Sequence, residues 1–418
     1  MAAPRNNSYA VASGAGVYAG RANNLPPATV AFVGDSLTDP SYNVSPWYWA
    51  LGVCGGVLAP IINAGVSGNT YANIQSRIDN AYTNASPGLG SAPEALGWVF
   101  LRAGTNNARS AAINGTTQGQ IDALIASCLT YAARVVLFAI PPLGGAEAAN
   151  NARVPAYNAY LASKANGSTV FFVDGTAGLY TGADQNGAYF SDGIHFNSAG
   201  TMRCGLDEGA ALASLLSGYA SPVDSAAASS TTQWHPNPQN VGAGGSIGTG
   251  FTGTLPNGYS ISRNGASHAA ACSIVASSDA NPTPWADIAP SAFGATGGIR
   301  VALTPAGRAV GSSDPGPLDV VVEVRFVGFD CTKITDFRTW LQCPSGNRLF
   351  GSGANTEDLK LSVGIDTALT QTVVLRAKLK RATASSESAP TLYVDLRSAG
   401  AASGSMGSVR MRCFTIKG

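Results

Sequence analysis

The chain has 418 residues, of which 45% are hydrophobic and only 12% charged, and its formal net charge is +1. That length buries a large core and fits two domains of common size. Its few Lys and Arg residues are scattered, which excludes the basic footprint of a nucleic-acid or anionic-membrane binder and leaves neutral or weakly charged partners.

The 50 glycines and 23 prolines are interrupted by clear apolar runs, so they read as many turns rather than as disorder. At the N-terminus, MAAPRNNSYAVASGAG has no basic stretch followed by an apolar one, so no signal peptide is expected there. No run approaches about 18 uninterrupted apolar residues, so no membrane-spanning helix is expected and a soluble protein is. The cysteines, Cys54, Cys128, Cys204, Cys272, Cys331, Cys343 and Cys413, include no C-x-x-C pair. Neither a zinc site nor a dithiol redox site is supported, and the odd count leaves at least one free thiol among what read as small core residues.

Residues 1–28 form an Asn- and Gly-rich extension. After it come short β-rich runs, TVAFVG (29–34), PIINAG (60–65), WVFLRAG (98–104), RVVLFAI (134–140) and TVFFVDG (169–175), each flanked by turn residues. Between them lie amphipathic helices. One carries Tyr71, Ile74, Ile78 and Tyr82, and another Ile121, Leu124, Ile125, Cys128 and Leu129. The alternation predicts a parallel sheet covered on both faces, with catalytic loops at the carboxyl ends of its strands.

Near residues 217–250 the composition turns to Ser, Ala, Pro and Gly, as expected of a linker, and the boundary is placed near 220. Beyond it, period-2 patterns take over. Val320, Val322, Val324 and Phe326 alternate with Asp319, Val321, Glu323 and Arg325, and similar alternations run through Val373–Leu379 and Leu392–Arg397. One buried and one wet face predict an antiparallel, jelly-roll-like sandwich. The expected organisation is an extension (1–28), an α/β domain (29–220), a linker (221–250) and an all-β domain (251–418).

The octet VGDSLTDP (33–40) places Ser36 at the end of a buried strand, where outward N–H groups favour developing negative charge. Taken alone, it is equally a turn with a helix cap, and Asp35 and Asp39 read as turn and helix-start residues. The histidines are His195, His235 and His268. His195 follows Asp192 by three residues in SDGIHFNSAG, a spacing at which a tight turn aims the carboxylate at the imidazole. His235 and His268 lie in the β-rich half without such company and read as structural. INAGVSGNT (62–70) sets Gly68 at one strand end and RAGTNNA (102–108) sets Asn106 at another. With the Ser36 N–H they would make a three-donor oxyanion hole.

GDSLTD, NAGVSGNT, GTNN and DGIH together resemble, in order and spacing, the four blocks of the SGNH (GDSL-type) hydrolases over residues 29–218. The resemblance implies a three-layer α/β/α flavodoxin-like fold and a metal-free, cofactor-free Ser-His-Asp esterase. Ser36 would attack, His195 would take and return the proton, and Asp192 would orient it. Ser36, Gly68 and Asn106 would hold the oxyanion. One departure is Asn107, where the family's third block reads Asp, so weaker order is expected around Asn106. GGSIG (244–248) fits the G-x-S-x-G elbow as a string, but lacks the strand before it and the helix after it.

The family includes lipases, thioesterases, arylesterases and carbohydrate deacetylases. A β-sandwich fused to a hydrolase suits polymer targeting, and Trp234, Trp285 and Trp340 would either stack on sugar rings or fill the core. The tail loosely resembles accessory domains of phage-tail-associated SGNH proteins, which fits an extracellular or virion-associated setting. Within SYNVSPWYWALGVCGG (41–56), Tyr48 and Trp49 either line an acyl pocket or pack a helix. The expected substrate is a small acyl ester, such as acetyl, on a glycan. The competing readings are a lipase or thioesterase for longer chains and a non-catalytic glycan- or receptor-binding scaffold.

Overall fold

The computed structural model describes residues 25–39, 46–81, 87–90, 92, 95–222, 240–279, 281–303, 318–342, 359–364, 368–379 and 391–417. Tyr82, Trp234, His235, Cys343 and most of the 221–250 linker lie outside them.

Five strands, β1 (Thr29–Gly34), β2 (Ala59–Gly65), β3 (Leu96–Arg102), β4 (Ala132–Phe138) and β5 (Val170–Val173), pair in parallel in the order β2-β1-β3-β4-β5. Every residue of β1 and β3 is buried, as continuous apolar runs require in a sheet covered on both faces. Side chains alternate along β1: Ala31 and Val33 join one core, while Val30 and Phe32 join the other. Helices α2 (Tyr71–Arg77), α4 (Gly115–Tyr131) and α5 (Val154–Ser163) cover the first face through Ile74, Leu124 and Tyr157. On the second face lie α1 (Trp47–Val53) and α6 (Ser198–Leu216), with Trp47, Leu51, Leu212 and Leu216, and α3 (Thr105–Ser110) follows β3. This is the flavodoxin-like order, and its direction of winding reverses between β1 and β3. In open sheets of this kind such a reversal is where a crevice is expected, outside the carboxyl ends of the strands. No helix among the described residues is long and apolar enough to cross a membrane.

The second half is built of strands. A six-stranded sheet comprises β8 (Ser246–Ile247), β10 (Tyr259–Asn264), β13 (Gly298–Leu303), β15 (Ile334–Gln342), β16 (Leu359–Ser362) and β18 (Thr391–Ser398). It faces a seven-stranded one of β9 (Phe251–Gly253), β11 (Ala269–Val275), β12 (Trp285–Phe293), β14 (Leu318–Phe329), β17 (Leu369–Leu379), β19 (Ala402–Ser403) and β20 (Ser408–Lys417). A small ribbon in the first half, β6 (Tyr180–Thr181) with β7 (Asp184–Gln185), completes the strands. The two large sheets share a core in which Val320, Val322, Val324 and Phe326 all point inward.

Pairing is not wholly antiparallel, since β8 runs parallel to β10 and β9 parallel to β11. The chain crosses from one sheet to the other between β8 and β9, and this supplies the crossover that a parallel pair needs.

One expectation for the β-rich half is corrected, and two alternatives the sequence left open are decided in favour of packing. First, the outer face is not wholly wet, because Val321 and Val374 are buried. Gly56 lies so close to Val374 that a Cβ on it would stand 2.9 Å from the Val374 carbonyl. Second, Trp49 lines no acyl pocket. It is buried in the sandwich core, its ring centroid 6.1 Å from that of Phe326, and its Nε1–H donates to the Ser362 carbonyl at 2.7 Å. Third, Trp285 and Trp340 offer no face to a sugar, being 1% and 3% exposed. Arg412 and Arg325 lie 3.6 and 5.1 Å from the Trp285 ring centroid, and Trp340 stacks on Tyr393. Cations and aromatic neighbours already occupy the faces that a pyranose would need.

The two halves are therefore not beads on a string. Strands β16 and β17 are the end strands of their sheets, and α1 and α6 pack against them. Trp49 from α1 and Met202 from α6 complete the core between the sheets. At Gly364, just past β16, a Cβ would stand 2.7 Å from the Ala199 backbone N, so the sandwich touches the first turn of α6.

Candidate active site

Strand β1 ends at Gly34, where a Cβ would stand 2.1 Å from the Arg102 carbonyl; glycine alone fits the close approach of β3. The chain then turns, with the Thr38 and Asp39 N–H groups both donating to the Asp35 carbonyl at 3.0 Å. Ser36 stands on this turn, 7% exposed. Its Oγ lies 2.9 Å from His195 Nε2, and His195 Nδ1 lies 2.7 Å from Asp192 Oδ2. The ring thus bridges a hydroxyl and a carboxylate. In the neutral tautomer that suits both partners, Nδ1–H donates to Asp192 and Nε2 accepts from Ser36.

The Asp192 turn is local. Asp192 Oδ1 accepts from the N–H groups of Ile194 (3.0 Å) and His195 (2.8 Å), and Gly193 takes a positive φ of 82°. The Gly193 carbonyl accepts from the Gly144 N–H (2.9 Å) and the Gln185 side-chain amide (2.8 Å). Partial burial pushes the Asp192 carboxyl up. Hydrogen bonds from the His195 backbone and ring and from the Ile194 N–H outweigh it and hold the acid below the usual carboxylate range.

Gly68 and Asn106 sit at the neighbouring strand ends. Gly68 has φ +77°, and a Cβ there would meet nothing within 4 Å, so its backbone borders open space. Asn106 is in the first turn of α3, where its Nδ2 donates to the Asn69 carbonyl at 3.0 Å, tying the loop after β3 to the loop after β2. A hydroxyl, an imidazole and a carboxylate in series, with amide donors at the adjoining strand ends, are the parts needed for acyl transfer.

Residues 32–203 match the family model of the GDSL-like lipases and acylhydrolases. This segment is a GDSL-like acylhydrolase domain. Among solved structures, the chain is similar to a member of the lipolytic G-D-S-L family from Veillonella parvula, with 17% identity over 45% of this chain and 98% of that one and a TM-score of 0.34. It is also similar to a catalytic mutant of an acetylxylan esterase from Geobacillus stearothermophilus, with 17% identity, 43% and 91% coverage and a TM-score of 0.33. A third is a carbohydrate esterase family 3 protein from Talaromyces cellulolyticus, with 18% identity, 46% and 99% coverage and a TM-score of 0.33. No curated protein matches the chain.

Other residues of the acylhydrolase domain hold the site through contacts that the sequence motifs do not state. The residues after Asp39 lie outside the described ones, but its own Oδ2 accepts from the Ser67 N–H at 2.9 Å and so anchors the Gly68 loop to the Ser36 turn. Arg77, buried on α2, donates through Nη2 to the Gly34 (3.1 Å) and Ala64 (2.9 Å) carbonyls and through Nε to Asn69 Oδ1 (2.7 Å). It thus ties together the ends of β1 and β2, the Gly34 carbonyl also accepting the Val66 N–H at 3.1 Å. The signal was a lone arginine among the apolar positions of α2. Asn107 is not a loosened contact either, because its Oδ1 accepts the Tyr71 N–H at 3.0 Å, a bond that needs only an oxygen. Beneath the Ser36 turn, Arg102 pairs with Glu208 of α6 in full burial.

The remaining candidates lie elsewhere. His268 is buried, with Nε2 3.0 Å from the Thr296 carbonyl and Nδ1 accepting from the Gly294 N–H. Ser246 of the GGSIG string lies on β8, an exposed two-residue strand with no helix after it. Among the described residues, no group of three or more His, Cys, Asp or Glu converges as a metal site.

Asp35 sits in the turn and is fully buried there, its Oδ1 accepting the Leu37 N–H at 3.0 Å. Burial pushes its carboxyl up from 3.8 to about 6, against the Leu37 N–H, Arg102, Thr105 and His195. Between those values the folded protein holds a proton that the unfolded chain has released. Stability therefore falls as pH rises through that window and levels off above about 6. Asp35→Asn keeps the acceptor for Leu37 but cannot ionise. Denaturant unfolding is expected to show this variant gaining on the parent by up to about 3 kcal/mol between pH 4 and 7. An equal offset at both pH values would contradict it.

Proposed function

We propose that the acylhydrolase domain is a serine esterase in which Ser36 is the nucleophile, His195 the general base and then acid, and Asp192 its orienter. The single observation that carries this reading is the His195 ring, within hydrogen-bond reach of Ser36 Oγ and Asp192 Oδ2 at once. Ser36 Oγ attacks the ester carbonyl while its proton passes to His195 Nε2, and the imidazolium is stabilised by the Asp192 carboxylate. The N–H groups of Ser36 and Gly68 and the Asn106 amide hold the oxyanion. His195 then protonates the departing alcohol, leaving an acyl-Ser36 ester that water cleaves by the same steps reversed.

For substrate, we propose an acetyl-sized acyl group on a carbohydrate hydroxyl. Small or polar residues stand in the loops that carry the site: Gly68, Asn69 and Asn106 after β2 and β3, and Gly144, Gln185 and Gly193 around the Asp192–His195 turn. Aromatic side chains of α1 are instead spent on the two cores, Trp47 under the sheet and Trp49 in the sandwich. A rim of amides and bare backbone suits a hydroxyl-rich alcohol better than an alkyl chain.

The test is a fluorophosphonate serine probe followed by an ester panel. Labelling is expected on the parent and on Ser246→Ala, but not on Ser36→Ala. Acetate release from acetylated oligosaccharides should exceed turnover of long-chain p-nitrophenyl esters. An unlabelled parent would favour the scaffold reading, and preference for long chains would favour a lipase or thioesterase.

A further inference from the structure

Asn106 can serve an oxyanion only if its NH2, not its carbonyl, faces the crevice. An asparagine amide is nearly symmetric in shape, so something must decide which end points where. Asn106 Oδ1 lies 3.2 Å from Arg109 Nη1, and Asn106 Nδ2 lies 3.0 Å from the Asn69 carbonyl. A guanidinium has donors only and a backbone carbonyl accepts only. Both contacts therefore demand the same orientation, and a flipped amide would set donor against donor and acceptor against acceptor. The NH2 carries two hydrogens, and Asn69 uses one. The other is left for the substrate.

Arg109 is itself held in place. It lies three residues after Asn106, on the same side of α3. Its Nη2 donates to Glu147 Oε1 at 2.9 Å, and Glu147 Oε2 accepts from Asn150 Nδ2 at 2.6 Å. Arg153 Nη1 donates to the Ala108 (3.1 Å) and Arg109 (2.9 Å) carbonyls, which pins the backbone of the same turn. The chain Glu147–Arg109–Asn106 thus runs from the Gly145–Arg153 segment to the site.

From this we infer that Arg109 is a positioning residue: its guanidinium sets the Asn106 amide so that an N–H faces the oxyanion. Its positive charge also polarises the amide it donates to, strengthening the N–H on the far side. The inference rests on the oxyanion role proposed for Asn106.

A double-mutant cycle on full-length protein with p-nitrophenyl acetate tests it. Asn106→Ala should lower kcat by about 10²–10³-fold, as for loss of one oxyanion donor. Arg109→Met should lower kcat by roughly 10-fold with KM little changed, because the Asn69 carbonyl alone then holds the amide, which is aligned less often and loses the polarising charge behind it. In the Asn106→Ala background the same change should cost under about 2-fold, since nothing is left to orient. Arg109→Lys, which keeps a donor for Oδ1, should recover most of the rate and carries the test if Arg109→Met fails to fold. Equal losses in both backgrounds, or full activity in Arg109→Met while Asn106→Ala is impaired, would overturn the inference and leave the esterase reading standing. Full activity in Asn106→Ala would overturn the oxyanion assignment and the inference together.

Discussion

Ser36→Ala and His195→Ala are each expected to lower kcat for p-nitrophenyl acetate by about 10⁴–10⁶-fold, and the double variant by hardly more than either alone. The reason is mechanical. On the proposed roles, without Ser36 there is no acyl acceptor, and without His195 the hydroxyl keeps its proton at neutral pH and attacks poorly. If the two act as one unit across the 2.9 Å contact, as proposed, removing the second after the first takes away little more. The residual rate would come from the oxyanion donors and binding alone. Single-turnover kinetics, with thermal unfolding to verify the fold, makes the measurement. Additive losses, or a His195→Ala protein within about 10-fold of the parent, would show that the imidazole is not the base.

Removal of the β-rich half is expected to unfold or aggregate the acylhydrolase domain rather than release a working esterase. Cutting after residue 222 strips the cover from Trp49 and Met202, both buried against the sandwich, and leaves the Trp49 Nε1–H without its Ser362 acceptor. Exposing a tryptophan of about 200 Å² at about 25 cal/mol per Å² costs about 5 kcal/mol. That alone rivals the whole stability of an ordinary domain, about 5–15 kcal/mol. The first turn of α6 also loses its contact with Gly364, only a few residues beyond His195. A comparison of residues 1–222 with the full chain by denaturant unfolding and binding of a hydrophobic dye measures the effect. A truncated protein with the parent's unfolding midpoint and no dye binding would refute it.

These two results bear on different kinds of information. The strand TVAFVG was legible residue for residue, because a strand buried on both faces must be apolar throughout and must stop where turn residues begin. The other four strands of the first sheet fall within a few residues of their apolar runs for the same reason. Asp192 and His195 were legible as a pair because three residues of one turn separate them, and local geometry is written in local sequence. Ser36 and His195 are 159 positions apart, and what joined them beforehand was the resemblance of four ordered blocks.

The contacts of Arg77 and Asp39 were not legible because their partners are backbone carbonyls and an N–H, which any sequence offers at every position, and that of Arg109 because its partner is one side-chain amide among many. That Asp35 is buried in its turn was not legible, because a turn residue is normally wet and the packing of β3 and α3 around it removes the water.

The sequence by itself determined the alternating α/β half, the β-rich half and the short motifs at the strand ends, since hydrophobic period and turn chemistry are properties of neighbouring residues. Tertiary structure decided what each buried face is buried against. Trp47 and Trp49 show the difference: two residues apart on one short helix, the first packs under the parallel sheet and the second enters the sandwich. Both are simply apolar to a pattern, because burial is recorded in a side chain's chemistry while its neighbour's identity is not. The closure of the sandwich edge by α1 and α6, and with it the joining of the two halves into one body, follows from that packing.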